Sequence, residues 1–411
     1  MKEIVFKTRV TEIAWQALLA LYCVSVFISK SAISIFGFFL ILFSLFLINW
    51  KDLVRSHKEV LVLAGLYPLA LLCSLFSLGG VESVIKTAHS WPWPLLALPA
   101  AVVFSRKSDH KLVLIASVIG LLLACGMSYY LFFKDFGGHF SSGVRVGSFW
   151  DISRWGLILS SSLMALFALV LYFEKQNNKK EFWFFLVVTL FAALSLLLSN
   201  TRAPWIAAAA GGMVMTLLFP RTLRFFAVVA LLFSLSQDVR DRVLTIINVQ
   251  RTSDGKITST DASNEGRLHM WQVGSEFFWQ QPWFGTGFEN SEEYLLKFVD
   301  SKPGYREKYV TSQFSFSDQH SSYLATFVQM GAIFSCILFG VLTWLVFLHL
   351  TAYVQTRSLW AGSILALFTV HLVIFVFYTS IQSFEMVALF PFIGLVPKML
   401  DSVESKITTV R

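Results

Sequence analysis

Hydrophobic positions in this chain gather into runs about as long as a bilayer-crossing helix, with short polar punctuation between them. About twelve such runs stand out, near residues 13–29, 32–48, 60–78, 91–104, 112–133, 152–173, 182–199, 204–219, 222–236, 321–349, 358–379 and 385–397. The fourth, ninth and twelfth are the short ones, and Pro92, Pro94 and Pro99 predict a bent or interrupted helix in the fourth. MKEIVFKTRVTE and the first run could pass for a signal peptide. No clear small-residue cleavage site follows and a second run begins almost at once, so the first run reads as an uncleaved span. The expected fold is an all-α polytopic membrane protein with about twelve transmembrane helices, residues 1–411 forming one transmembrane domain.

One segment breaks the rhythm. Residues 237–320 are long and polar, with twelve acidic and nine basic side chains, and are expected to form a loop insertion between the ninth and tenth spans. A structureless loop of this length is uncommon in a compact domain. Instead, NEGRLHMWQVGSEFFWQQ predicts a helix with Leu268, Trp271 and Phe278 on one face, Ser263 or Asn264 as its cap and Pro282 just beyond its end. A second helix near 290–300 is predicted to start at Asn290, with Glu293 answering in a capping box. There is no internal repeat and no low-complexity tract.

Charge sets the orientation. Eighteen Lys and Arg fall in the termini and one set of short loops, and only six (Lys30, Lys86, Lys134, Arg145, Arg154 and Arg202) in the opposite set. By the positive-inside rule both termini are cytoplasmic and the long loop lies outside. The formal net charge of +8 therefore marks cytoplasmic loops rather than a nucleic-acid partner. Composition agrees, with 56% of the 411 residues hydrophobic and only 14% charged, against about 25% charged in soluble domains. Cys23, Cys73, Cys125 and Cys336 lie inside apolar runs without metal-ligand spacing, so they read as small buried hydrophobes and imply no disulfide.

The candidate chemistry lies among the few ionisable groups on the outer side. Arg202, in SNTRAPW between the seventh and eighth spans, reads either as an interfacial arginine snorkelling into headgroups or as a cation facing a polar cavity. Arg267 is placed in the first turn of the predicted loop helix, where free N–H groups and the dipole favour anions; a solvated surface arginine is the alternative. Arg145, in SSGVRVGSFWD, has Gly137, Gly138 and Gly143 nearby, a setting that suits phosphate but is equally met in plain loops. His320, in SDQHSSYL before the tenth span, could serve as a general base or simply a structural imidazole. The chain has no DxD triplet, no GxxxxGK phosphate loop and no GxSxG elbow, so an enzyme here needs a substrate that arrives already activated.

Together these motifs resemble the O-antigen ligase and polymerase superfamily. SNEGRLHMWQVGSEFFWQQPWFGTGFEN is similar to the family's arginine-helix-PxxGxG segment, with Pro282, Gly285 and Gly287 in the last part. HSSYLATFVQMGAIF resembles the ligase signature H-[NSQ]-x9-G-x-x-[GTY] at His320, Ser321 and Gly331, and departs from it at Phe334. RVGSFWD is similar to the family's RxxGxF-type outer loop. The resemblance implies a GT-C-like fold in the bacterial inner membrane with its site facing the periplasm. It implies undecaprenyl-pyrophosphate-linked O-antigen as donor, lipid A–core oligosaccharide as acceptor, and no cofactor or metal. Arg202 and Arg267, with Arg145 assisting, would bind the pyrophosphate and His320 would be the catalytic base. An O-antigen polymerase or a protein O-oligosaccharyltransferase is the alternative within the superfamily. A lipid-linked sugar transporter is the alternative outside it.

Overall fold

The computed structural model describes residues 9–56, 58–139, 144–235, 262–309, 319–379 and 381. Every regular element among them is helical: α1 (Arg9–Ile28), α2 (Lys30–Leu47), α3 (Trp50–Ser56), α4 (Lys58–Leu75), α5 (Gly80–Ser90), α6 (Ala97–Ser105), α7 (Lys107–Phe136), α8 (Ile152–Lys175), α9 (Lys179–Ser199), α10 (Arg202–Leu218), α11 (Leu223–Leu235), α12 (Ala262–Phe278), α13 (Ser291–Asp300), α14 (Tyr305–Tyr309), α15 (Ser322–Thr356) and α16 (Leu359–Phe377). Among the described residues, eight of these (α1, α2, α4, α7, α8, α9, α15 and α16) are long and apolar enough to cross a membrane. Large apolar side chains on them, such as Phe46, Val187 and Phe347, stand exposed on the outside of the bundle. In water such a surface would be an aggregation hazard; in lipid it is the ordinary outer face.

Four of the twelve apolar runs resolve differently. Run 204–219 becomes α10, at 17 residues short of the others. Run 222–236 becomes the 13-residue α11. Run 91–104 is interrupted as its prolines require: a 3-10 turn at Trp93–Leu96 leads into the nine-residue α6, and both are largely buried. Run 385–397 lies outside the described residues, as do most of both termini. Three cysteines are buried, but Cys336 is exposed on α15, contrary to expectation, because it points away from the bundle's core.

The centre of the bundle is α16, packed against α8, α10 and α15. Its register with α10 is set by glycines. A Cβ on Gly211 would lie 2.6 Å from Val370 Cγ2, and one on Gly362 would lie 2.5 Å from Phe219 Cε2. The two helices therefore run antiparallel in close contact, and the start of α10 is level with the end of α16.

The opposite end of the bundle is fastened by charge. Asp109 is fully buried and accepts from Trp15 Nε1 at 2.8 Å and from Arg106 Nε at 3.1 Å. Arg106 also bonds Glu12, so the start of α1 is tied to the α6–α7 junction. A buried carboxylate is tolerable only with such partners.

The longest helix, α15, has 35 residues and breaks at Gly331 (φ 74°, ψ 175°). The described part of the long loop packs on its first section: Met270, Val273 and Phe277 of α12 and Leu295, Phe298 and Val299 of α13 share a small core with Val328.

Candidate functional site

The motif Pro282–Gly287 is explained by the break in α15. At Gly331 the helix leaves backbone groups without intrahelical partners, and the loop supplies them. Thr286 N donates to Val328 O at 2.9 Å and Gly287 N to Gln329 O at 2.8 Å. In the other direction Ala332 N donates to Pro282 O at 2.7 Å. The glycines are required by this close approach. A Cβ on Gly285 would lie 2.7 Å from Gln329 C, and one on Gly331 would lie 2.5 Å from Phe284 Cα and closer still to Trp283 O. All three glycines of this contact have positive φ (66°, 91° and 74°). The other side of the loop meets α5 and the turn before it: Gly79 N donates to Thr286 O, and Phe288 N to Ser83 Oγ at 2.8 Å.

His320 stands at the top of the broken section. Its backbone is left-handed (φ 48°) and its side chain half-buried. Both of its neighbours are fixed. Gln319 O accepts from Trp271 Nε1 at 3.0 Å. Ser321 Oγ caps α15 through Leu324 N and reaches Phe375 O at 3.4 Å, and Ser322 Oγ donates to Tyr378 O at 2.7 Å. The histidine is therefore pinned between α12 on one side and the end of α16 on the other.

Arg267 lies on α12 one helical turn before Trp271, and residues four apart share a face. The bond from Trp271 to Gln319 therefore brings the Arg267 turn to the histidine's corner. Arg267 is half-buried, and its Nε is buried with no hydrogen-bond partner among the described residues. Two expectations for α12 need correction. The helix begins at Ala262, so Ser263 and Asn264 lie inside it rather than capping it, and Arg267 falls in the second turn, beyond the free N–H groups of the helix start. Its buried face is Met270, Val273 and Phe277, while Leu268 is exposed, because the face is chosen by the small core shared with α13 and Val328. The capping box at Asn290 is also absent. Asn290 makes no side-chain cap, its Oδ1 accepts instead from Lys86, and Glu293 pairs with Lys297 at 2.5 Å.

Arg202 is the first residue of α10, half-buried, at the same level as His320. It lies nine residues above Gly211, and the same count along α16 from Ala366–Val370 reaches Phe377 and the strand of backbone held by Ser321 and Ser322. The approach to Arg202 is tightly built. Asn200 ends α9 in the left-handed region (φ 48°), Trp205 Nε1 donates to Leu196 O at 2.9 Å, and Thr201 sits so close to α8 that a Cβ on Gly156 would lie 2.6 Å from Thr201 Oγ1. An arginine at a helix N-terminus adds its charge to the positive end of the dipole instead of offsetting it, an arrangement that favours an incoming anion.

Arg145 belongs to the same corner. Asn200 Nδ2 donates to Val144 O at 2.9 Å and Val146 N to Leu198 O at 3.0 Å, so the backbone on both sides of Arg145 is strapped to the α9–α10 turn. Arg145 itself is exposed. Of the glycines near it, Gly137 caps the end of α7 in the left-handed region, Gly138 follows with φ 75°, and Gly143 lies outside the described residues.

The structure thus brings Arg145, Arg202, Arg267 and His320 to one end of the bundle. The sequence reading missed a buried polar set beneath them, Ser291, Gln319 and Gln329, each at most 3% exposed. The one available signal was Gln329, an amide inside the apolar run TFVQMGAIF. Among the described residues no three His, Cys, Asp or Glu side chains gather as metal ligands.

Residues 185–334 match the family model described as O-antigen ligase. The match spans Arg202, Arg267, the Pro282–Gly287 loop, His320 and Gly331. No curated protein matches the chain. The segment that carries two of the arginines, the docked loop and the histidine is therefore similar to the O-antigen ligase family.

Proposed function

We propose that this protein is an inverting, metal-independent glycosyltransferase that moves O-antigen from undecaprenyl pyrophosphate to a hydroxyl of lipid A–core oligosaccharide. The family match supports ligase- or polymerase-type chemistry. The observation that carries the reading further is the Trp271–Gln319 hydrogen bond, which sets a half-buried arginine turn beside a pinned histidine. In the reaction, His320 takes the proton of the acceptor hydroxyl as that oxygen attacks the anomeric carbon. The bond from that carbon to the pyrophosphate oxygen breaks on the opposite face, and the electron pair leaves with undecaprenyl pyrophosphate. Arg202 and Arg267, assisted by Arg145, hold the charge that develops on the leaving group, the task for which planar, permanently charged guanidinium groups are suited. The prenyl chain lies between spans at the lipid face, and α12 to α14 roof the corner on the periplasmic side of the bacterial inner membrane.

The ligase reading is favoured over polymerase by the spacing from His320 to Gly331. Residues 322–330 form the helical section between the histidine and the break, so this interval sets how far the base stands above the docked loop. The test is transfer in detergent with purified protein, lipid-linked glycan and lipid A–core, with and without chelator. Capped lipid A–core in both conditions, lost in His320→Ala, supports the proposal. Elongation of the lipid-linked glycan with no capping of core would show a polymerase. Transfer abolished by chelator would show that a cation, not the arginines alone, stabilises the leaving group.

A further inference from the structure

Below His320 lies a linked set of buried polar side chains. Gln319 Nε2 donates to Ser291 Oγ at 3.2 Å. Gln329 Nε2 is shared between Ser291 Oγ and Gln319 Oε1, both at 3.4 Å. Gln329 Oε1 in turn accepts from Glu289 N at 3.4 Å. Three separate stretches of chain meet here: the start of α13, the residue before the histidine and the last turn before the break at Gly331. Burying two amides costs free energy unless their groups are paired, and an apolar pair would fill this space more cheaply. The set therefore selects a geometry, and what it adjoins is a histidine in a conformation that non-glycine residues adopt only when their surroundings impose it.

We propose that Gln319 and Gln329, joined through Ser291, are positioning residues for His320: they fix the peptide on its N-terminal side so that the left-handed turn aims the imidazole at the acceptor hydroxyl. The inference rests on reading His320 as the base. Gln319 contributes twice, its carbonyl tied to Trp271 and its amide to the set. Gln329 makes the link to the loop, since its own carbonyl receives Gly287 N. Docking of the 282–291 loop and the aim of His320 are thereby one structural event.

The test uses the full chain in detergent and two readouts. The first is acylation of His320 by diethylpyrocarbonate against pH, mapped by mass spectrometry with exposed His89 as internal reference; it does not need activity. In Gln329→Met, which keeps the volume and removes the hydrogen bonds, the His320 profile shifts and that of His89 does not. The second readout is transfer: kcat falls about a hundredfold with the KM for the lipid-linked donor unchanged, the cost expected of a small misplacement of a reacting group. In a His320→Ala background the same substitution costs nothing further. If Gln329→Met does not fold, Ser291→Ala against Ser291→Thr, which retains the hydroxyl, makes the same comparison, with the threonine variant restoring both readouts. An unchanged His320 profile in the folded variant, or an equal further loss in the His320→Ala background, would overturn the proposal. A shifted profile in a protein that transfers nothing even as wild type would support the positioning role and overturn the reading of His320 as base.

Discussion

Trp271 Nε1 donates to the carbonyl oxygen of Gln319 at 3.0 Å, across 48 residues of sequence. This bond joins the helix of Arg267 to the residue before His320. With Ser321 and Ser322 bonded to the end of α16, it makes the histidine's corner a fixed point rather than the tip of a loose loop.

Arg267 should behave as an electrostatic group, not as a packing group. Arg267→Ala is expected to lower kcat about 100- to 1000-fold, the range for removing one preorganised donor to a developing negative charge. Arg267→Lys should recover little, because an ammonium lacks the planar fork. Steady-state transfer by the purified variants checks this; full recovery by lysine would show that charge alone suffices.

The docked loop predicts a strict glycine requirement. Gly331→Ala places a Cβ against Trp283 O and Phe284 Cα at a positive φ, so it should lower thermal stability and separate the loop from α15. Gly340→Ala, further along the same helix with nothing within 4 Å, should be neutral or slightly stabilising. Thermal unfolding of the two variants in detergent separates these outcomes.

At the far end, Asp109→Ala strips the buried Arg106 and the Trp15 indole of their shared acceptor. The expected loss is about 3 kcal/mol of stability, with turnover per folded molecule unchanged because the cluster is remote from the site. Unfolding midpoints and specific activity measured on the same preparation test this.

The loop's own charge cluster predicts a pH dependence. The Lys302 ammonium, hydrogen-bonded at 2.8 Å, holds the Glu276 carboxyl below the usual carboxylate range, aided by Gln272 and Tyr305, although partial burial opposes this. A depressed carboxyl contributes stability above its unfolded value, and loses it as pH falls through its folded value. Lys302 is raised by the same pairing, so its share is lost only at strongly alkaline pH. Protection from hydrogen exchange across 276–305, taken relative to the intrinsic rate at each pH, should therefore fall as the medium is acidified below the normal carboxylate range. Glu276→Gln should weaken that dependence around Lys302 and Tyr305.

Much of the fold was legible because membrane spans are written in run length. Eight runs became long apolar helices, and the prolines at 92, 94 and 99 marked the interruption that leaves α6 short. The candidate site was legible only as residue types, since arginines and a histidine in the sparsely charged loops stand out. Their assembly was not. Hydrophobic periodicity could not show that α12 buries Met270 and Val273 instead of Leu268, because that choice is made by the core it shares with α13 and α15. Nor could local capping rules anticipate that Asn290 would bond Lys86, some 204 residues away.

The two arginines on either side of α11 reach the same end of the bundle. Spin labels at Arg202→Cys and Arg267→Cys, with exposed Cys336 replaced by serine, give the separation by pulsed electron resonance. The start of α10 against α16 and the second turn of α12 against α15 predict a distance of about 25 Å or less. A separation of about 40 Å or more, the full thickness of a bilayer with its headgroups, would place them on opposite faces and contradict the account.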